Sequence, residues 1–160
     1  MKSGNFDLRG FEAYCYLKRI VENREVVPEN CPEAYHVYAR DQLLSTRYAA
    51  TGLRILSLTE RVGVAESFVE HGKYLVHSDR RPRRDADRLH DAQRRAIRLY
   101  DKAAALGCAE AKYLIGLAYA SGEGVRRNLG KAQTFIMSAA EGGYKDAVRE
   151  LLVPTFTKAS

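Results

Sequence analysis

Residues Ala109–Ala147 read AEAKYLIGLAYASGEGVRRNLGKAQTFIMSAAEGGYKDA. Two apolar stretches at helical spacing flank Gly122-Glu123-Gly124, and small residues recur within both. That pattern predicts two antiparallel helices joined by a tight turn. Gly122 and Gly124 permit the positive φ such a turn needs, and Asn128 is a good N-cap for the second helix. Val125 can fold back onto the pair. Ile115, Tyr119, Phe135 and Ile136 are expected to supply buried volume, while Gly116, Ala132 and Ala139 let the helices cross closely.

The pattern repeats. A shift of 36 residues aligns Ala96 with Ala132, Ala103-Ala104 with Ala139-Ala140, Gly107 with Gly143 and Ala111 with Ala147. Arg95 meets Lys131 and Glu110 meets Asp146 in the same register. A weaker match at a shift of 44 residues pairs Gly63 with Gly107, Ala65 with Ala109, Glu66 with Glu110, Gly72 with Gly116 and Ile55 with Leu99. The difference between the two shifts falls in the polar stretch Ser78–Leu89, read as an exposed basic loop inserted into a degenerate repeat. A helix pair leaves one apolar face open, and stacking the next pair covers it.

In Ala109–Ala147 the residues Ala111, Tyr113, Ile115-Gly116, Tyr119, Gly122-Glu123-Gly124-Val125, Lys131-Ala132, Phe135, Ala139-Ala140-Glu141, Gly143 and Ala147 resemble the Sel-one-like repeat, a relative of the tetratricopeptide repeat. Arg95–Ala104 with Leu106–Ala111 fits the second helix of the preceding repeat. The chain departs from the family at Gly130, at Met137 and throughout residues 1–62. The resemblance implies an all-α fold, an α/α superhelical solenoid of tetratricopeptide-like helix pairs with an N-terminal helical extension. Residues 1–62 would form a cap or a degenerate repeat, 63–153 the repeat region with a basic insertion at 78–89, and 154–160 a tail.

Outside the motif, helices are expected over Phe6–Val21, Pro32–Leu44, around Leu53–Leu58, Val64–His77, Asp91–Leu106 and from Lys145, stopped by Pro154. A hydrophobic content of 46% is enough for a packed core. No apolar run approaches the roughly 20 residues of a membrane span, and Met1–Asn5 begins no secretory leader. Cys15, Cys31 and Cys108 lie far apart without Cys-x-x-Cys spacing, which disfavours disulfides and zinc and points to a reducing, cytoplasmic setting. The formal charge of +6 is local, because residues 80–98 hold eight arginines against three aspartates.

Catalytic patterns do not emerge. Gly124–Lys131 has one residue too many for a phosphate loop, and Ala132 stands where magnesium needs a hydroxyl. Gly122-Glu123-Gly124 lacks the third glycine of a dinucleotide turn, Arg127 occupying its place. His36, His71, His77 and His90 show no metal-ligand spacing, and Asp85, Asp87 and Asp91 are interleaved with arginines. No cofactor, metal or catalytic residue is expected, and the chain reads as no enzyme.

The solenoid that the resemblance implies makes binding of a protein partner the expected function, as a cytosolic adaptor or regulator. The resemblance also admits a bacterial immunity protein that neutralises a toxin, and the arginines admit a nucleic-acid-associated regulator working through phosphate neutralisation. The first helices of such repeats would line a concave surface, which makes Leu114, Leu117 and Ser121 candidate partner contacts. Arg126 and Arg127 in the turn, and Arg80, Arg81, Arg83 and Arg84 in the loop, are further candidates, suited to an acidic surface. An uncovered last helix from Lys145 leaves a homodimer open.

Overall fold

Small residues and turn glycines organise the molecule, as a computed structural model shows for residues 32–44, 48–78 and 86–152. Seven helices occur among these described residues: α1 (Pro32–Leu43), α2 (Ala49–Arg61), α3 (Ala65–Ser78), α4 (Ala86–Ala105), α5 (Ala109–Ser121), α6 (Leu129–Glu141) and α7 (Lys145–Leu152). The fold class is all-α. The expected helix over Phe6–Val21, the loop arginines Arg80, Arg81, Arg83 and Arg84, and the tail 154–160 lie outside the described residues.

The α5–α6 hairpin forms for the reasons its residues suggest. Gly122 ends α5 at φ 86°, its N–H donating to Ala118 O at 2.8 Å. Gly124 holds φ 71° with the backbone of Gln93 and Arg94 so close that no Cβ fits. Asn128 caps α6 by accepting from Lys131 N at 3.0 Å, while its own N–H donates to Tyr119 O at 2.8 Å. A Cβ on Gly116 would overlap Ile136, so the absent side chain sets the crossing distance. Ile115 and Ile136 are buried as expected. Tyr119 and Phe135 differ from expectation: they are half-exposed and stack on each other at 5.8 Å, because the crossing is already filled by alanines.

One turn is used three times. At its centre Gly63, Gly107 and Gly143 take φ 84°, 91° and 81°. Each donates its N–H three residues back, to Glu60, Ala104 and Ala140. The following N–H of Val64, Cys108 and Tyr144 reaches Thr59, Ala103 and Ala139. This is the left-handed glycine closure that satisfies the last carbonyls of a helix. The register extends into the helices. A Cβ on Gly72 would overlap the Tyr100 ring, as one on Gly116 would overlap Ile136.

The stretch between α3 and α4 departs from expectation. α4 begins at Ala86, inside the loop read as Ser78–Leu89, whereas the residue in register with the first residue of α6 is Gln93. The longer repeat thus spends about two turns of its extra length on helix. Ala92, Ala96, Tyr100 and Ala103 are all buried on one face, so apolar periodicity carries the helix back through charged residues.

The chain divides into two compact units after Ser67. In the first, Tyr35, Tyr38, Ala39, Ile55 and Leu56 form the core, and Gly52 lets α2 approach the Ala39 carbonyl. Thr59 and Ser67 are fully buried there, their hydroxyl oxygens 2.7 Å apart, and His36 Nδ1 lies 3.2 Å from Ser67 Oγ. In the second, Ile136, Ala139 and Ala147 pack with Tyr113, Ala140 and Tyr144. α7 leaves Val148, Leu151 and Leu152 exposed.

Candidate functional site

Within the second unit, α3, α4 and α5 enclose a half-open groove of about 170 Å³. Its floor is α4: buried Ala96 and Tyr100 with half-buried Ile97, and Gln93 at one end. Val76 lines one wall from α3, and Leu114, Leu117 and Ala118 line the other from α5. Gln93 and Tyr100 lie two helical turns apart, so the floor runs about 10 Å. Gly72 positions that floor, since any side chain there would displace the Tyr100 ring.

The two ends of the groove are polar. At the Tyr100 end, Lys73 Nζ donates to Glu110 Oε1 at 2.6 Å and to Glu70 Oε1 at 3.1 Å. Burial pulls the Lys73 ammonium down, but the hydrogen bonds and charges of Glu110 and Glu70 outweigh it and hold its pKa above the ordinary value. Tyr100 is 6% exposed, and its phenol is pushed up by burial and by the charges of Glu110 and Glu70, so it stays protonated. It makes no hydrogen bond among the described residues. At the other end His77, whose Nδ1–H donates to Lys73 O at 2.8 Å, and Glu123 form the lip.

Further along, Tyr113 donates to Glu150 Oε2 at 2.8 Å and packs on Tyr144 at 5.1 Å. Burial and Glu150 push its phenol up to about 12. No group of three or more His, Cys, Asp or Glu side chains suited to a metal occurs among the described residues. Nor is any described helix long and apolar enough to cross a membrane.

No family model and no curated protein matches the chain. Solved structures do. A Sel1 repeat protein from Oxalobacter formigenes matches with a TM-score of 0.59 at 20% identity, over 86% of this chain and 96% of that one. Helicobacter pylori cysteine rich protein B matches with a TM-score of 0.60 at 18% identity, over 85% of this chain and 95% of that one. The fold is a Sel1-repeat α solenoid.

Leu114 and Leu117, two residues singled out from the sequence, thus line the groove, both half-buried. Ser121 lies beyond it at the end of α5, its hydroxyl 3.1 Å from Leu117 O and accepting from Glu123 N at 3.3 Å. Arg127 folds back, Nε–H donating to Ala120 O at 3.1 Å, and Arg126 is exposed in the turn. The opposite wall and the floor were not singled out. The signal for them was the 44-residue register, which places Glu70, Lys73 and His77 opposite Leu114, Leu117 and Ser121.

Proposed function

We propose that this chain is a protein-interaction module that docks a partner side chain in the α3–α4–α5 groove. The observation that carries the reading is the groove itself, about 170 Å³ with a mostly apolar lining. Small-molecule and cofactor pockets run to about 300–1,000 Å³, so this one suits a single anchoring side chain better than a substrate. Leu114 and Leu117 supply the apolar wall, and an adaptor or regulator in a reducing cytosol is the setting that suits three widely separated cysteines. The loop arginines Arg80, Arg81, Arg83 and Arg84, with Arg126, are proposed as a second contact.

The test is affinity capture from native lysate with nuclease present, at low and moderate salt, comparing wild type with Leu117→Glu. A protein retained by the wild type through the salt increase and released by Leu117→Glu is the expected result. Recovery of nucleic acid instead, lost steeply with salt and on replacing Arg80, Arg81, Arg83 and Arg84, would move the function to the arginines.

A further inference from the structure

The charges around the groove say more about its occupant than its size does. Lys73 is the cation at the Tyr100 end, and it is already held by two carboxylates at 2.6 and 3.1 Å. All three side chains are partly shielded, at 32%, 30% and 20% exposure for Lys73, Glu110 and Glu70. The cluster therefore carries one surplus negative charge, and its ammonium is not free to receive a partner's carboxylate. Beside the cluster lies Tyr100, a groove-lining residue 6% exposed, whose hydroxyl makes no hydrogen bond among the described residues. A carbonyl oxygen of an incoming chain would satisfy it.

We infer that the groove takes a peptide segment in which one large aliphatic side chain fills the slot and a lysine or arginine flanks it, over Glu70 and Glu110. The inference rests on the groove being the docking site. The anchor is set by the apolar floor of Ala96 and Ile97 against Leu114 and Leu117, and by a volume that accepts one side chain. The flanking charge is set by the surplus carboxylate, partly withdrawn from water, where an added cation interacts more strongly than on an open surface. An acidic segment would place its carboxylate against Glu70 and Glu110 and leave Lys73 with no further attraction to offer. The two contacts reinforce each other only if the basic residue lies on the Tyr100 side of the anchor.

Fluorescence anisotropy with labelled peptides tests this. The probes place one leucine between lysines, between glutamines or between glutamates. The lysine-flanked peptide is expected to bind roughly fivefold tighter than the glutamine-flanked one, the scale of a single partly exposed ion pair. The glutamate-flanked peptide is expected to bind most weakly. Glu110→Gln should bring the ratio of lysine-flanked to glutamine-flanked affinity down towards one. Leu117→Glu should weaken all three, and Leu114→Ser repeats that reading without bringing a charge into the slot. Circular dichroism checks that each variant keeps its helices. Equal binding of all three peptides, still lost in Leu117→Glu and Leu114→Ser, would overturn the basic-segment inference and leave the groove as the docking site. Tightest binding by the glutamate-flanked peptide would overturn it in favour of an acidic partner. Binding by none would overturn both the inference and the groove.

Discussion

The turn that follows α2 and the turns that follow α4 and α6 share one backbone but not one interior. Each has its glycine at positive φ and the same pair of N–H donors. On either side of the later two, the fully buried pairs are Ala103 with Ala111 and Ala139 with Ala147. In the first, the same register holds Thr59 and Ser67, also fully buried. Thr59 Oγ1 lies 2.7 Å from Ser67 Oγ and 2.9 Å from Leu56 O, and His36 Nδ1 reaches Ser67. Close approach of two helices thus demands small residues, and not apolar ones. A hydroxyl is tolerated wherever a second hydroxyl or a carbonyl stands ready to meet it.

The comparison can be broken hardest by size. Ala139→Leu adds volume where no space exists, and is expected to lower stability by about 3 kcal/mol or more in chemical denaturation. The next largest effect separates the two interiors. Ser67→Ala removes the hydroxyl that Thr59 Oγ1 and His36 Nδ1 face, and should cost about 1 kcal/mol by the same measurement. The double variant Thr59→Ala with Ser67→Ala should cost less than the sum of the singles, since the pair removes donor and acceptor together. Additive costs would show that the two hydroxyls act independently.

An effect of similar size should be the same at every turn. An added Cβ at Gly63, Gly107 or Gly143 meets nothing within 4 Å, so alanine at each site costs only the left-handed backbone. Equal losses of about 1 kcal/mol are expected, read from denaturant midpoints. Unequal losses would mean that the turns differ in more than their flanking pairs.

The smallest effect concerns the third turn, where Tyr113 packs on Tyr144 and bonds Glu150. Burial and Glu150 raise its phenol from 10.0 to about 12. A raised pKa gives stability that is complete below pH 10 and is lost as pH rises towards 12. The wild type should therefore lose more stability than Tyr113→Phe across that window, measured by thermal melts at each pH.

Much of this fold was legible because small residues must stand at fixed positions. Gly107 with Gly143 and Ala111 with Ala147 advertise the repeat, and both shifts place residues that occupy equivalent turns. Thr59 and Ser67 escaped because they resemble Ala103 and Ala111 in volume and not in residue type, and the packing selects on volume. The start of α4 escaped for a different reason. Asp87 and Arg88 look like loop, but half-buried Leu89 and buried Ala92 and Ala96 continue one helical face beyond them. Half the groove was visible as Leu114 and Leu117. The facing wall was hidden because Lys73 and His77 occupy the register of Leu117 and Ser121 with different chemistry, and that dissimilarity masked positional equivalence.

Gly72 gives this site a division of labour. By seating Tyr100, a position with no side chain of its own fixes the floor of the groove, and the floor is also core. Glu70, Lys73, Leu114 and Leu117 sit above it, none of them fully buried. For the docking site proposed above, a lineage or an engineer could therefore rewrite recognition at these four places while leaving the scaffold's melting behaviour nearly untouched. The specificity of such a module is editable text on a page that stays the same.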